Sequence, residues 1–168
     1  MVGGRPACAS LLLGLLAACI QPDLDESFSP AELDREFFRC RVEPVLVARC
    51  AFFACHGSNR RPLRLFAVQK LRLTTPWEDQ DAPLTDAEHT ANYDMARGFA
   101  GGPGAEPAQL LEKPLDVDAG GLYHRGKTLY GGEDVFSSPD DPGYRIASEW
   151  LGGAAADPGC VPTEEVGP

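Results

Sequence analysis

No stretch of this chain constrains it more than Cys50-Ala51-Phe52-Phe53-Ala54-Cys55-His56-Gly57. Two thiols followed at once by an imidazole form the arrangement that attaches a c-type haem. The cysteines add across the vinyl groups and the adjacent histidine ligates the iron. The order matters because the histidine has to reach the iron while both sulfurs stay at the ring edge. Cys50 and Cys55 are therefore the expected attachment points for haem c, and His56 is the expected proximal ligand. The usual motif has about two residues between the cysteines; this chain has the four residues Ala51 to Ala54. Positions three apart share a helix face and positions five apart do not, so the extra residues are predicted to loop out.

The N-terminal segment says where such chemistry takes place. Arg5 supplies a short positive region, Ala7 to Ala17 an apolar one, and Leu16-Ala17-Ala18-Cys19 closes the segment. It is too short to span a bilayer and reads as an export signal over residues 1–18. Its ending resembles the lipobox of bacterial lipoproteins. That resemblance implies cleavage before Cys19, acylation of Cys19, and a partnership with the membrane through the lipid anchor. Several acyl chains hold a protein stably where one does not. Ile20 stands where an Asp would favour retention on the inner membrane. The expected location is therefore the periplasmic side of the cell envelope, leaning to the outer membrane.

Export also bears on the remaining thiols. Cys8 leaves with the signal and Cys19 takes lipid, so Cys40, Cys50, Cys55 and Cys160 stay in an oxidising compartment. Two arrangements satisfy the parity. In one, haem takes Cys50 and Cys55 while Cys40 pairs with Cys160. In the other, all four form two disulfides without haem.

The chain from Cys19 to Pro168 has 150 residues, enough for one domain with a core. Loss of Arg5 takes the net charge from −10 to −11, which argues against a nucleic-acid partner, since phosphates need basic patches. Residues 19–29 read as a polar, acidic tether, 30–153 as the folded domain, and 154–168 as a loose tail rich in Pro, Gly and acid.

Helical signals dominate. Ser29-Pro30-Ala31-Glu32 reads as a capping box opening a first helix, with Leu33, Phe37 and Cys40 on one stripe and Pro44 breaking or restarting it. Thr85-Asp86-Ala87-Glu88 opens a second helix ending at Gly98, with Leu84, Ala87, Ala91 and Met95 on its inner face. A last helix starts near Pro139 to Pro142 and runs to Leu151, with Tyr144, Ala147 and Trp150 inward. Gly- and Pro-rich loops fill 98–107 and 116–132, and strand signals are weak. The expected fold is a small, loop-rich, mostly α domain.

The run from Phe37 to Leu46, followed by Cys50 and Cys55-His56-Gly57, resembles cytochrome c-like domains of bacterial surface and periplasmic proteins, most nearly the planctomycete-type cytochrome c domain. Leu110 to Leu115, Gly120-Gly121-Leu122-Tyr123-His124, and Tyr144 to Ala154 extend the resemblance over roughly residues 35 to 155. It implies a cytochrome c-like helical fold whose first and last helices cross beside haem, one-electron transfer, and a redox partner protein. The four-residue gap between the cysteines departs from the family pattern.

A second axial ligand could come from His124 or Met95. Expectation falls on His124, because glycines flank it and the family has a corresponding stretch; Met95 is the alternative and otherwise fills core. His89, at an acidic helix start, reads as solvent-facing. Arg60, Arg61, Arg64, Lys70 and Arg72 form a basic stretch; Arg60 and Arg61 could meet haem carboxylates, whereas Lys70 and Arg72 read as surface charge. Trp77 and Tyr93 read as packing residues. No hydrolase triad, phosphate-binding loop or metalloprotease helix is present. A zinc site on Cys50, Cys55 and His56 is disfavoured by the strain of adjacent ligands. Two functions compete: a lipid-anchored c-type haem protein acting as an electron carrier rather than an enzyme, and a haem-free, disulfide-stapled interaction module.

Overall fold

The computed structural model describes residues 32–101, 108–125, 132 and 134–158. The domain is mostly helical, and among these residues there is no strand, only an isolated parallel bridge between Leu115 and Phe136. No described helix is long and apolar enough to cross a membrane.

Helix α1 (Arg35–Phe37), a π-helical turn (Phe38–Val42) and α2 (Glu43–Cys50) follow one another through helical backbone. The start differs from the expected capping box, of which Ser29 to Ala31 lie outside the described residues. Asp34 is the cap instead, its carboxylate accepting from the Phe37 amide at 2.6 Å. A short acidic side chain satisfies one of the orphan amides of the first turn as well as Ser would. Leu33 is buried but precedes the helix. Pro44 restarts the helix rather than ending it. Its ring would collide with the carbonyl four residues back; in the wider turn ahead of it the Glu43 amide reaches the Phe38 carbonyl, five back.

Helix α3 (Asp86–Gly98) opens with the expected capping box at Thr85 and Glu88. Its buried face differs from the apolar stripe that the sequence suggests. Glu88, Asn92, Tyr93 and Ala96 are buried, whereas Leu84, Ala91 and Met95 are half-buried and Ala87 is exposed. Two polar residues face inward because partners meet them there. Arg72 grips Glu88 at 2.8 and 3.0 Å, the Leu73 amide adds a third bond, and Arg72 also donates to three carbonyls at 80, 82 and 83. Asn92 accepts from the Phe66 amide (2.7 Å) and donates to the Phe66 carbonyl (2.9 Å) and to the buried Glu43 (2.7 Å). His89 sits 2.6 Å from the other Glu43 oxygen and is half-buried, not solvent-facing. Arg72 is thus a buried brace rather than surface charge, while Lys70 donates to the Val47 carbonyl over the Phe52 ring.

Helix α4 (Gln109–Glu112) and 3-10 turns at Trp77–Asp79 and Val117–Ala119 are short. Helix α5 (Pro142–Leu151) matches its sequence expectation, capped by Asp141, with Ala147 and Trp150 buried and Tyr144 against the Phe136 ring. At the core, Phe38, Tyr93 and Trp150 close a triangle with centroids 5.1 to 6.0 Å apart. Trp150 Nε1 donates to the Asp34 carbonyl (2.9 Å) and the Tyr93 hydroxyl to the Leu33 carbonyl (2.7 Å). Cys40 is buried and disulfide-bonded; Cys160 lies outside the described residues, as do the signal, Cys19 and the tether.

Two stability predictions follow from this packing. Trp150→Ala should cost about 3–5 kcal/mol in urea unfolding, since it removes a fully buried ring and its hydrogen bond. Burial opposes ionisation of Glu88, but Arg72 and the Thr85 and Leu73 amides outweigh it and lower the carboxyl from 4.5 to about 2. The stabilisation is full above pH 4.5 and disappears as pH falls through about 2, on the order of 3 kcal/mol. Glu88→Gln should flatten the pH dependence of the urea midpoint across that window; an unchanged slope would refute the assignment.

Candidate functional site

Helix α2 ends at Cys50, and the next residues turn sharply. The Cys55 and Gly57 amides both donate to the Phe52 carbonyl (2.8 and 2.9 Å), and the His56 amide donates to the Cys50 carbonyl (3.1 Å). The chain therefore loops out between the cysteines, as the spacing predicts, with Phe52, Phe53 and Ala54 exposed while Ala51 stays buried in the core. Gly57 lets the turn close: a Cβ there would stand 2.3 Å from the Ala51 carbonyl oxygen. The Leu65 amide then ties the outgoing chain to the His56 carbonyl at 2.8 Å.

This turn forms one wall of a cavity of about 720 Å³, within the size range of cofactor pockets. Leu46, Arg49 and Cys50 reach it from one face of α2. Cys55, His56, Arg61 and Leu63 come from the turn, and Leu110 and Lys113 from α4 and its end. Tyr123, His124, Arg125 and Val135 come from the two loops beyond. A bond from the Leu122 amide to the Glu112 carbonyl (2.8 Å) holds the first of those loops. Gly121 allows it to cross Leu115, since a Cβ would fall 1.9 Å from that carbonyl oxygen.

The chain has three histidines, and two of them meet here. The His56 and His124 rings lie 5.8 Å apart between centres with planes 9° from parallel. His56 Nδ1 is 3.0 Å from the Leu63 carbonyl. A carbonyl only accepts, so Nδ1 carries the proton and Nε2 keeps a lone pair. Burial holds this imidazole below the usual histidine range, His124 and Arg61 add to the effect, and the Leu63 bond opposes it. His124 Nδ1 faces the Asp134 carboxylate at 3.4 Å, which likewise leaves Nε2 as its available nitrogen.

Cys50 and Cys55 are free thiols lining the same cavity. Burial, reinforced by Cys55, pushes the Cys50 thiol up to about 12. Burial also raises Cys55, against the pull of Arg61. Both are protonated at neutral pH. Among the described residues, no three His, Cys, Asp or Glu side chains converge as a bare metal ion requires.

The structure thus brings together Cys50, Cys55, His56 and His124. Met95 lies on α3, half-buried, and is not part of the cavity wall. Arg61 lines the cavity and the exposed Arg60 does not. Sequence reasoning missed Arg49, Lys113, Arg125 and Asp134. Arg49 could have been suspected from its place beside Cys50; it bonds Asp141 at 2.7 Å, joining α2 to the cap of α5. Arg125 adjoins His124 in the same way, whereas nothing in the local sequence marks Lys113 or Asp134. The chain matches no protein-family model, no curated protein and no solved structure.

Gly57→Ala should force the Ala51 carbonyl aside and cost about 1–3 kcal/mol in urea unfolding. Gly98→Ala, where a Cβ meets nothing within 4 Å, is the control expected to be neutral or stabilising. Equal effects of the two changes would contradict the close approach at Gly57.

Proposed function

We propose that this protein is an exported, lipid-anchored, c-type haem protein with a cytochrome c-like domain that carries single electrons to or from a partner protein. The observation that carries the reading is the pairing of His56 and His124 across a cavity that also takes both free thiols, each ring with Nδ1 engaged and Nε2 available. Haem c would supply the one-electron chemistry when bound.

The chain's own residues divide the remaining work. Cys50 and Cys55 would hold the haem covalently, with residues 52–54 looping outward so that His56 still follows the second sulfur. The carbonyl of Leu63 fixes the His56 ring and its tautomer. Leu46, Leu63, Leu110 and Val135 give the cavity apolar walls that would exclude water from a bound haem. Arg61, Lys113 and Arg125 line the cavity with positive charge suited to haem carboxylates. Cys19 carries the anchor, and Cys40 pairs with Cys160. Free thiols at Cys50 and Cys55 favour this arrangement over two disulfides without haem.

Protein produced with haem-attachment machinery should give a pyridine haemochrome spectrum and keep its haem through acid acetone. An intact mass equal to that of the apo-protein would overturn the reading and leave the haem-free interaction module. Cys55→Ser should lose more haem than Cys50→Ser, because Cys55 is locked beside the ligand. His124→Ala should produce a high-spin haem that binds carbon monoxide, and Met95→Leu should change little; the reverse pattern would make Met95 the distal ligand. Peptide mapping without reduction should join Cys40 to Cys160.

A further inference from the structure

The two facing histidines are held by chemically different groups. His56 Nδ1 meets a neutral backbone carbonyl, that of Leu63. His124 Nδ1 meets the carboxylate of Asp134, which is 5% exposed. Burying a carboxylate is costly unless hydrogen bonds compensate it. Here the Val135 amide donates to Oδ1 at 2.8 Å, and the His124 ring faces the same oxygen. The backbone around Asp134 is also held by bonds that do not use its side chain. Its amide donates to Asp116 Oδ2 (3.0 Å), the Asp116 amide to the Phe136 carbonyl (2.9 Å), and the Phe136 amide to the Pro114 carbonyl (2.9 Å). Asp134 thus sits in a braced loop, aimed at one ring nitrogen.

Resting on the haem reading, we propose that Asp134 is the positioning residue of the distal ligand, orienting His124 and enriching its Nε2 in electron density so that the two axial histidines are unequal donors. A carboxylate draws the Nδ1 proton more strongly than a carbonyl does and raises the basicity of the opposite nitrogen. The stronger donor favours the ferric over the ferrous state, so Asp134 lowers the reduction potential. The Leu63 carbonyl, lacking charge, does this less for His56.

The test is redox titration of the haem-loaded protein and its variants, each checked for a low-spin spectrum. Asp134→Asn should raise the ferrous-to-ferric ratio at fixed applied potential about tenfold, a shift of 59 mV for one electron. Asp134→Glu, which keeps charge and acceptor, should restore most of it. The Asp134→Asn shift should collapse in a His124→Met background, which has no ring N–H to polarise. A shift of equal size there would mean simple charge removal and overturn the proposal. So would a wild-type-like potential in a low-spin Asp134→Asn protein, while leaving the haem reading intact. A wild type without haem overturns both. Independently of any variant folding, nuclear magnetic resonance of the ferrous wild type should show the His124 Nδ1 proton further downfield than that of His56; equal shifts would overturn the proposal.

Discussion

The contact among Phe38, Tyr93 and Trp150 is the one on which the rest of this fold depends. Three rings from three separated helical segments meet, Tyr93 standing edge to face with each of the other two, a geometry in which the ring quadrupoles attract beyond the area they bury. Their polar tips are used as well: Trp150 and Tyr93 donate to consecutive carbonyls, Asp34 and Leu33, just ahead of α1. The triangle therefore sets both the mutual packing of the helices and the point where the first begins. Polar contacts add to the registry: Arg49 joins α2 to the cap of α5, and Glu43 of α2 meets His89 and Asn92 of α3.

The cavity lies beyond the far end of that arrangement and inherits its geometry from it. Helix α2 delivers Leu46, Arg49 and Cys50 to one wall. The other walls are loops whose shape comes from backbone hydrogen bonds and from glycines that allow close crossing. Polar buried groups hold the loops to the helices. Asn92 clamps the backbone of Phe66 on one side and Glu43 on the other, so the segment after His56 is tied to α2 and α3 at once. A site assembled from such distant pieces is rigid only while each of these bonds is satisfied.

Much of the helical framework could be read from sequence. The Thr85 capping box and the Pro142 start are local signals, and both elements occur where expected. The turn between Cys50 and Cys55 was legible because residues five apart on a helix do not share a face, so thiols expected to meet one group needed a break between them. The inner face of α3 was not: Leu84, Ala87, Ala91 and Met95 make a plausible apolar stripe, but Arg72 and Phe66 supply partners that draw Glu88 and Asn92 inward. Such long-range pairing leaves no trace in local periodicity. Of the site, the cysteines and both histidines were recognisable by residue type and neighbours. Asp134 and the basic rim were not, since only the folded loops bring Asp134 to His124 and the rim to the cavity.

The widened turn at Phe38–Val42 has a consequence for how this chain could change over time. Each residue added to or removed from a helix swings everything after it by about 100°. Phe37 before the turn and Phe38 at its start pack in the core, while Arg49 and Cys50 after it line the cavity. The orientation of the thiol is therefore set by backbone some ten residues upstream, in a stretch that touches no part of the cavity. A single-residue deletion there would leave every cavity-lining residue in place in the sequence and yet turn the first cysteine away from its partner.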